Sequence, residues 1–247
     1  MATSSHAPGA DATALPAAGR EGKEEALVQA MFDRVAPRYD LANAVLSLGQ
    51  DAHWRRVVAR AARPSGRTFL DVAAGPGNVA HQLVAHGARH VTALDLSYNM
   101  LAEGARRGLP DVDWVNGDAQ HLPFPDASFD GVTISFGLRN VPDPERALAE
   151  FARVTRPGGV LVVCEFAAPT RPTFRRVYLQ YLVGALPRVA QLVSSDAPAY
   201  TYLAESIQQW PDRRTIADWM GAAGWADVQV KDLTGGIVAV HRATRTG

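Results

Sequence analysis

FLDVAAGPGN, residues Phe69–Asn78, reads as an apolar strand that stops in a turn of small residues. Asp71 stands just before the glycine turn Gly75-Pro76-Gly77. A second acid, Asp95, closes the next apolar run, Val91–Leu94. Small residues between Asp71 and Asn78 let backbone approach a ligand closely. An acid about 20 residues beyond such glycines can accept from both hydroxyls of a ribose. The arrangement describes a nucleotide-type pocket at the carboxyl ends of two neighbouring strands. Taken singly, each acid has a plainer reading: Asp71 as a turn cap, Asp95 as a solvated strand end.

Outward from this stretch the chain alternates strand and helix. Expected strands are Thr68–Val72, His90–Asp95, Val112–Asn116, Gly131–Ser135 and Val160–Phe166. Expected helices are Asn78–His86, Ser97–Arg107 and Pro144–Thr155. The last should be capped by Asp143, started by Pro144 and stopped by Pro157-Gly158-Gly159. Such alternation means a parallel sheet with helices on both faces. The end differs: Val228–Leu233, Gly235-Gly236 and Ile237–Arg242 read as a hairpin, so one final strand must run antiparallel. The fold class is α/β and Rossmann-like, a mostly parallel seven-stranded sheet ending in an antiparallel hairpin.

The glycines alone do not choose a cofactor, since Gly75, Gly77 and Ala80 also fit the relaxed dinucleotide fingerprint. Asp71 favours one side. A carboxylate beside the turn repels a pyrophosphate and attracts an amine. S-adenosylmethionine (SAM) carries an ammonium, a sulfonium and a ribose diol, with no phosphate, and is favoured over NAD. No Tyr-x-x-x-Lys pair supports hydride transfer either. The expected SAM contacts here are Asp71, Gly75, Gly77 and Asp95. After the third strand, Asp118 can accept from an adenine amino group while Ala119 leaves room for the ring. After the fourth come Ser135, Phe136 and Gly137, then Arg139 as a fixed cation and Asn140 as a two-way hydrogen bonder. Spacing alone favours Arg139 pairing with a surface carboxylate instead.

The 247 residues suffice for one α/β domain with additions. Lys plus Arg and Asp plus Glu are 25 each, so no global charge argues for nucleic acid. The single cysteine, Cys164, lies in an apolar run and reads as core. The seven histidines form no metal-ligand motif, and no metal is expected. Residues 1–22 read as a disordered tail. Residues 23–247 read as one domain with an N-terminal helical cap, 23–66, and a lid insertion, 169–212. In the lid, Leu179, Leu182, Val183, Leu186, Val189 and Val193 recur at helical spacing. No leader pattern or long apolar span is present, so a cytoplasmic protein is expected.

ISFGLRN, Ile134–Asn140, resembles a signature of the ubiquinone/menaquinone biosynthesis C-methyltransferase family. MFDRVAPRYDLANAVLSLG at Met31–Gly49, the FLDVAAGPGN loop, Ala204-Glu205-Ser206-Ile207 and LTGGIVAVHR at Leu233–Arg242 resemble further family signatures. Together they span nearly everything from Met31 to Arg242. The resemblance implies a class I SAM-dependent methyltransferase acting on a ring carbon of a reduced quinol. The substrate it favours is a prenylated naphthoquinol, demethylmenaquinol; a ubiquinone precursor or another small phenol stays open. It places the cofactor at Pro76, Asp95, Asp118, Ala119 and Ser135. Pro76 departs from the family's usual threonine and offers neither hydroxyl nor N–H, which keeps a non-catalytic SAM-binding protein in view. The resemblance also implies that Arg139 and Asn140 are catalytic, and that Tyr39, Asp40, Phe136 and Gly137 meet the substrate. A bilayer-dwelling prenyl tail implies contact with the inner face of the cell membrane through Phe174–Val193, led by Arg171, Arg175 and Arg176. Oligomeric state stays open.

Overall fold

The computed structural model describes residues 47, 49–181, 184 and 197–247. Tyr39, Asp40, Leu182, Val183, Leu186, Val189 and Val193 lie outside them, as does the tail. Seven strands form one sheet: β1 Thr68–Val72, β2 His90–Asp95, β3 Val112–Asn116, β4 Phe129–Ser135, β5 Thr155–Phe166, β6 Trp225–Leu233 and β7 Val238–Arg245. Their order is β3-β2-β1-β4-β5-β7-β6, parallel from β3 to β5, with β7 antiparallel to both β5 and β6. The order reverses between β1 and β4, and open α/β sheets bind ligands in the crevice at that switch point.

The two faces of the sheet are buried differently. On one, α1 (Asp51–Ala62) presents Trp54, Val58, Ala59 and Ala62 to Phe69, Val160 and Val162. Those positions share one helical face, which is why the segment docks. The short α2 (Asn78–Ala85) adds Val79, Ala80 and Leu83 to the same core. On the other face, α4 (Pro144–Val154) buries Leu148 and Phe151 against Leu70, Ile134 and Leu161. Asp143 caps α4 by accepting from the Arg146 amide at 2.9 Å, and Pro144 occupies its first turn. The helical stop is corrected by the structure. Helix α4 ends at Val154, where Thr155 turns extended and its hydroxyl donates to the Phe151 carbonyl at 2.6 Å. Pro157-Gly158-Gly159 lie inside β5 and form the irregularity between the pairs Phe129–Thr155 and Gly131–Val160.

Between β2 and β3, α3 (Tyr98–Ala105) is capped by Ser97, whose hydroxyl accepts from the Met100 amide at 3.2 Å. Trp114 of β3 is wedged behind the glycine turn. A Cβ on Gly77 would come within 2.4 Å of its ring, and one on Gly104 within 2.3 Å. Gly77 also has φ +79°, which only glycine adopts cheaply. Gly104→Val is therefore expected to cost roughly 2–3 kcal/mol by overpacking. It should also weaken SAM binding, because the displaced ring pushes on the turn. Chemical denaturation and calorimetry check both effects.

Between β5 and β6, α5 (Pro172–Gln180) and α6 (Ala197–Gln209) meet beside the carboxyl end of β5 and the turn after β4. Tyr178, Ala204 and Ile207 form a small separate core there, joined by Phe166 and Ile237. Helix α7 (Arg213–Ala222), not anticipated from the sequence, buries Ile216 and Met220 on the α4 side.

Candidate active site

A cavity of about 780 Å³, counting its open mouth, lies at the switch point. It is built in three layers. The floor is the turn after β1, where Ala73, Gly75 and Gly77 have φ of +51°, +55° and +79°. Asp95 holds that turn: its Oδ2 accepts from the Gly75 amide at 2.7 Å and its Oδ1 from the Ser97 amide at 2.8 Å. Each carboxylate oxygen has a second lone-pair direction, so the pair still suits a vicinal diol. Asp95→Ala is expected to lower SAM affinity by at least about 100-fold, since it removes the acceptors and loosens the turn together. Isothermal titration checks it; a loss below about threefold would contradict the assignment.

The second layer is the loop after β3. Asp118 and Ala119 line the cavity. Partial burial pushes the Asp118 carboxyl up, but hydrogen bonds from His121 and Gln120 outweigh it and hold the group below the ordinary aspartate range. It is therefore an ionised acceptor at neutral pH.

The third layer is the turn after β4. Ser135, Phe136, Gly137 and Asn140 line the cavity. The Ser135 hydroxyl oxygen is buried and has no hydrogen-bond partner among the described residues. Phe136 adopts φ +58°, a strained value for a bulky residue. The strain aims its ring at Trp54 and Phe166, with centroids 5.6 and 4.9 Å away. A Cβ on Gly137 would stand 2.3 Å from the Ala73 Cβ, so this turn must pass glycine-thin over the first.

Three anticipated residues lie behind the wall rather than on it. Asp71 is fully buried beneath the turn; Pro76 and Gly77 shape the turn without lining the cavity. The Asp71 Oδ1 accepts from the Thr133 hydroxyl at 2.6 Å, while its Oδ2 is buried without a partner of hydrogen-bond geometry among the described residues. Burial raises this carboxyl to about 7, against the pull of the Thr133 bond.

Arg139 also stands off the cavity wall. It pairs with a carboxylate, as spacing had allowed, but that carboxylate is buried rather than exposed. Its Nη1 donates to Glu165 Oε1 at 2.9 Å and to the Phe136 carbonyl at 2.5 Å. The side chains are 6% and 1% exposed. The guanidinium lies 5.2 Å from the Phe166 ring centroid, and its Nε has no partner among the described residues. Asn140 Oδ1 accepts from the Tyr202 hydroxyl of α6 at 3.2 Å, tying α6 to the turn after β4.

Glu165 and Trp54 were not singled out by the sequence. Glu165 carried the same signal as Asp71 and Asp95, an acid at the end of an apolar run. Trp54 donates through Nε1 to the Thr234 hydroxyl at 2.8 Å, so α1 is tied to the LTGGIVAVHR hairpin. Cys164 is core, as expected: burial, then the Glu165 charge, push its thiol far above the ordinary range. Among the described residues no His, Cys, Asp and Glu group could hold a metal.

Two acids and no Lys, Arg or His line the cavity. That pair of acceptors repels a pyrophosphate and fits a cationic nucleoside with a free diol. The Ser135 hydroxyl faces this cavity without a partner among the described residues, and the Asp71 carboxyl lies buried behind the turn.

Known proteins agree with the geometry. The ubiE/COQ5 methyltransferase family model matches residues 20–245. A demethylmenaquinone methyltransferase from Renibacterium salmoninarum is 54% identical over 221 residues, 89% of this chain and 92% of that protein. One from Mycolicibacterium paratuberculosis is 56% identical over 88% of this chain and 94% of its own length. Among solved structures, the [4+2]-cyclase SpnF superposes with TM-score 0.65 at 19% identity, covering 90% of this chain and 97% of that one. A Thermotoga maritima SAM-dependent methyltransferase, possible histamine N-methyltransferase, gives 0.63 at 20% identity, covering 87% and 98%. These two share the fold; the sequence relatives carry the kinship. Fold, cavity and relatives converge: the chain belongs to the ubiE/COQ5 methyltransferase family and is a SAM-dependent methyltransferase.

Proposed function

We propose that the protein methylates a ring carbon of reduced demethylmenaquinol, the substrate class printed in the names of its relatives. The observation that carries the chemistry is the cavity: two carboxylates, no cation, and a strained aromatic turn at its rim. Bound SAM supplies an electrophilic methyl on a sulfonium sulfur. Asp95 receives the ribose, Asp118 and Ala119 the adenine, and Asp71 and Ser135 favour the ammonium end. Gly75, Pro76 and Gly77 set the turn.

A hydroquinone carbon is a weak nucleophile until the neighbouring hydroxyl is ionised. An ordinary phenol has pKa about 10, so ionising it near pH 7–8 needs roughly 3–4 kcal/mol. The Arg139 guanidinium supplies that stabilisation as a fixed cation; Asn140 orients the ring oxygen. Phe136 and Gly137 shape the face where the flat ring lies; Tyr39 and Asp40, assigned to the substrate by the resemblance, lie outside the described residues. Alignment of ring carbon and methyl supplies the rest. Side-by-side turnover of demethylmenaquinol and a demethoxy-ubiquinol precursor tests the substrate. A preference of at least about tenfold for the naphthoquinol supports the reading; preference for the benzoquinol overturns it.

The prenyl tail requires a route to the bilayer. On α5, Arg171, Arg175 and Arg176 are exposed, beside Phe174 at 39% and Val177 at 57%. Cations flanking apolar side chains are the pattern of an interfacial helix. No helix among the described residues is long and apolar enough to cross a membrane. The full chain is expected to float with vesicles containing phosphatidylglycerol, and Phe174→Glu with Val177→Glu to reduce the bound fraction severalfold. Equal recovery of both proteins in the unbound layer would remove α5 from the route.

A further inference from the structure

The amide of Asn140 lines the cavity and is two-faced: one end accepts a hydrogen bond and the other donates two. Its backbone is fixed. Asn140 closes the short 3₁₀ turn Leu138–Asn140, and its main-chain N–H donates to the Gly137 carbonyl at 3.0 Å. The side chain is held from outside that turn, by Tyr202 of α6, whose hydroxyl donates to Asn140 Oδ1 at 3.2 Å. With Oδ1 engaged, the remaining polar atom is Nδ2, which carries donors only.

The place of the Tyr202 hydroxyl is itself set. Ala204 and Ile207 of the same helix are buried in the small core with Tyr178, and α6 packs against the 3₁₀ turn. A braced helix, not a wandering side chain, therefore reaches Asn140. The bond is long for an O–H donor. Catalytic contacts of this kind are often loose before substrate arrives and tighten with it.

Resting on the quinol reading above, we infer that Tyr202 is a positioning residue: it fixes the Asn140 amide so that the ring oxygen meets N–H donors and not a carbonyl oxygen. That orientation favours the ionised ring oxygen, which accepts a donor strongly and is repelled by a carbonyl. Donors are scarce on this wall. Among the described side chains that line it, Ser97, Ser135 and Asn140 are the ones that carry any. Ser97 caps α3 beside Asp95, and Ser135 is assigned above to the cofactor. Arg139 stands behind the wall, so its charge acts through space while the Asn140 amide is placed for direct contact.

Tyr202→Phe keeps the ring and removes the donor. With demethylmenaquinol it should lower kcat about tenfold, the size of one hydrogen bond, while quinol KM and SAM affinity stay within about threefold. A double-variant cycle separates positioning from packing. In an Asn140→Ala background, Tyr202→Phe should change kcat by less than about twofold, whereas an equal loss of about tenfold in both backgrounds means that Tyr202 only supports α6 and overturns the inference. The sign of the amide is tested at saturating SAM. Asn140→Asp puts an acceptor where the donor stood and should turn over severalfold more slowly than Asn140→Ala. Equal or faster turnover by Asn140→Asp overturns the inference even if Tyr202→Phe does not fold. A loss of SAM affinity that matches the loss of kcat in Tyr202→Phe gives the amide to the cofactor and overturns it too. A wild-type enzyme that binds SAM and methylates no quinol removes the functional reading, and the inference with it.

Discussion

Arg139→Ala should lower turnover by about 100-fold or more while SAM affinity stays within about threefold. It should also cost about 3–5 kcal/mol of stability, because it strands the Glu165 carboxylate in a buried site. The two effects separate in a double variant. Arg139→Ala with Glu165→Ala removes both charges and should recover most of the lost stability, yet turnover should stay low. Denaturant midpoints and single-turnover rates read the two quantities independently. Turnover within about tenfold of wild type amounts to only about 1.4 kcal/mol and would deny Arg139 a transition-state role. Arg139→Lys is also expected to fail, since one ammonium cannot hold the Phe136 carbonyl and Glu165 while a flat face covers Phe166.

The second large effect belongs to Asp71. Its carboxyl is raised to about 7 by burial, from an ordinary value of 3.8. A raised acid stabilises the fold while it is protonated. Between about pH 4 and pH 7 the unfolded chain has lost that proton and the folded chain has kept it. Stability therefore falls as pH rises through this window and levels off above about 7. Asp71→Asn should remove the dependence, gaining about 2–4 kcal/mol at pH 8 and nothing near pH 4. Binding should move the other way. An ionised Asp71 favours the cationic cofactor, so wild-type SAM affinity should fall as pH drops below about 7. The variant should bind about ten- to 100-fold more weakly at pH 8, with a flat profile. Thermal melts and titrations across pH 5–8.5 measure both. Matched loss of stability and affinity would mean that Asp71 is only a structural cap.

Much of the architecture is legible in the sequence because its punctuation is local. The strands Thr68–Val72, His90–Asp95 and Val112–Asn116 are apolar runs with polar or turn residues at their ends, and the structure has the same bounds. The hairpin was legible from Gly235-Gly236, but its first strand begins earlier, at Trp225. Asp227, at φ +54°, breaks the pairing between Ala226 and Gln229, and the alternation a reader relies on is interrupted there. Helix α7 buries only Ile216 and Met220, a stripe too thin to stand out in a polar stretch. Gly75, Asp95, Asp118, Ala119, Ser135, Phe136, Gly137 and Asn140 meet at one cavity because each ends a strand or begins the turn after one. Glu165 escaped because its partner is 26 residues away on another strand end, and only sheet order brings the two together. The bond from Tyr202 to Asn140 escaped likewise, since it spans 62 residues.

The central claim is methyl transfer to carbon. Carbon-13-labelled SAM, reduced demethylmenaquinol and the full chain should give a product whose labelled methyl resonates as an aryl methyl on the vacant ring carbon. Label found in a methyl ether, or absent from the quinol while SAM remains bound, would contradict the account.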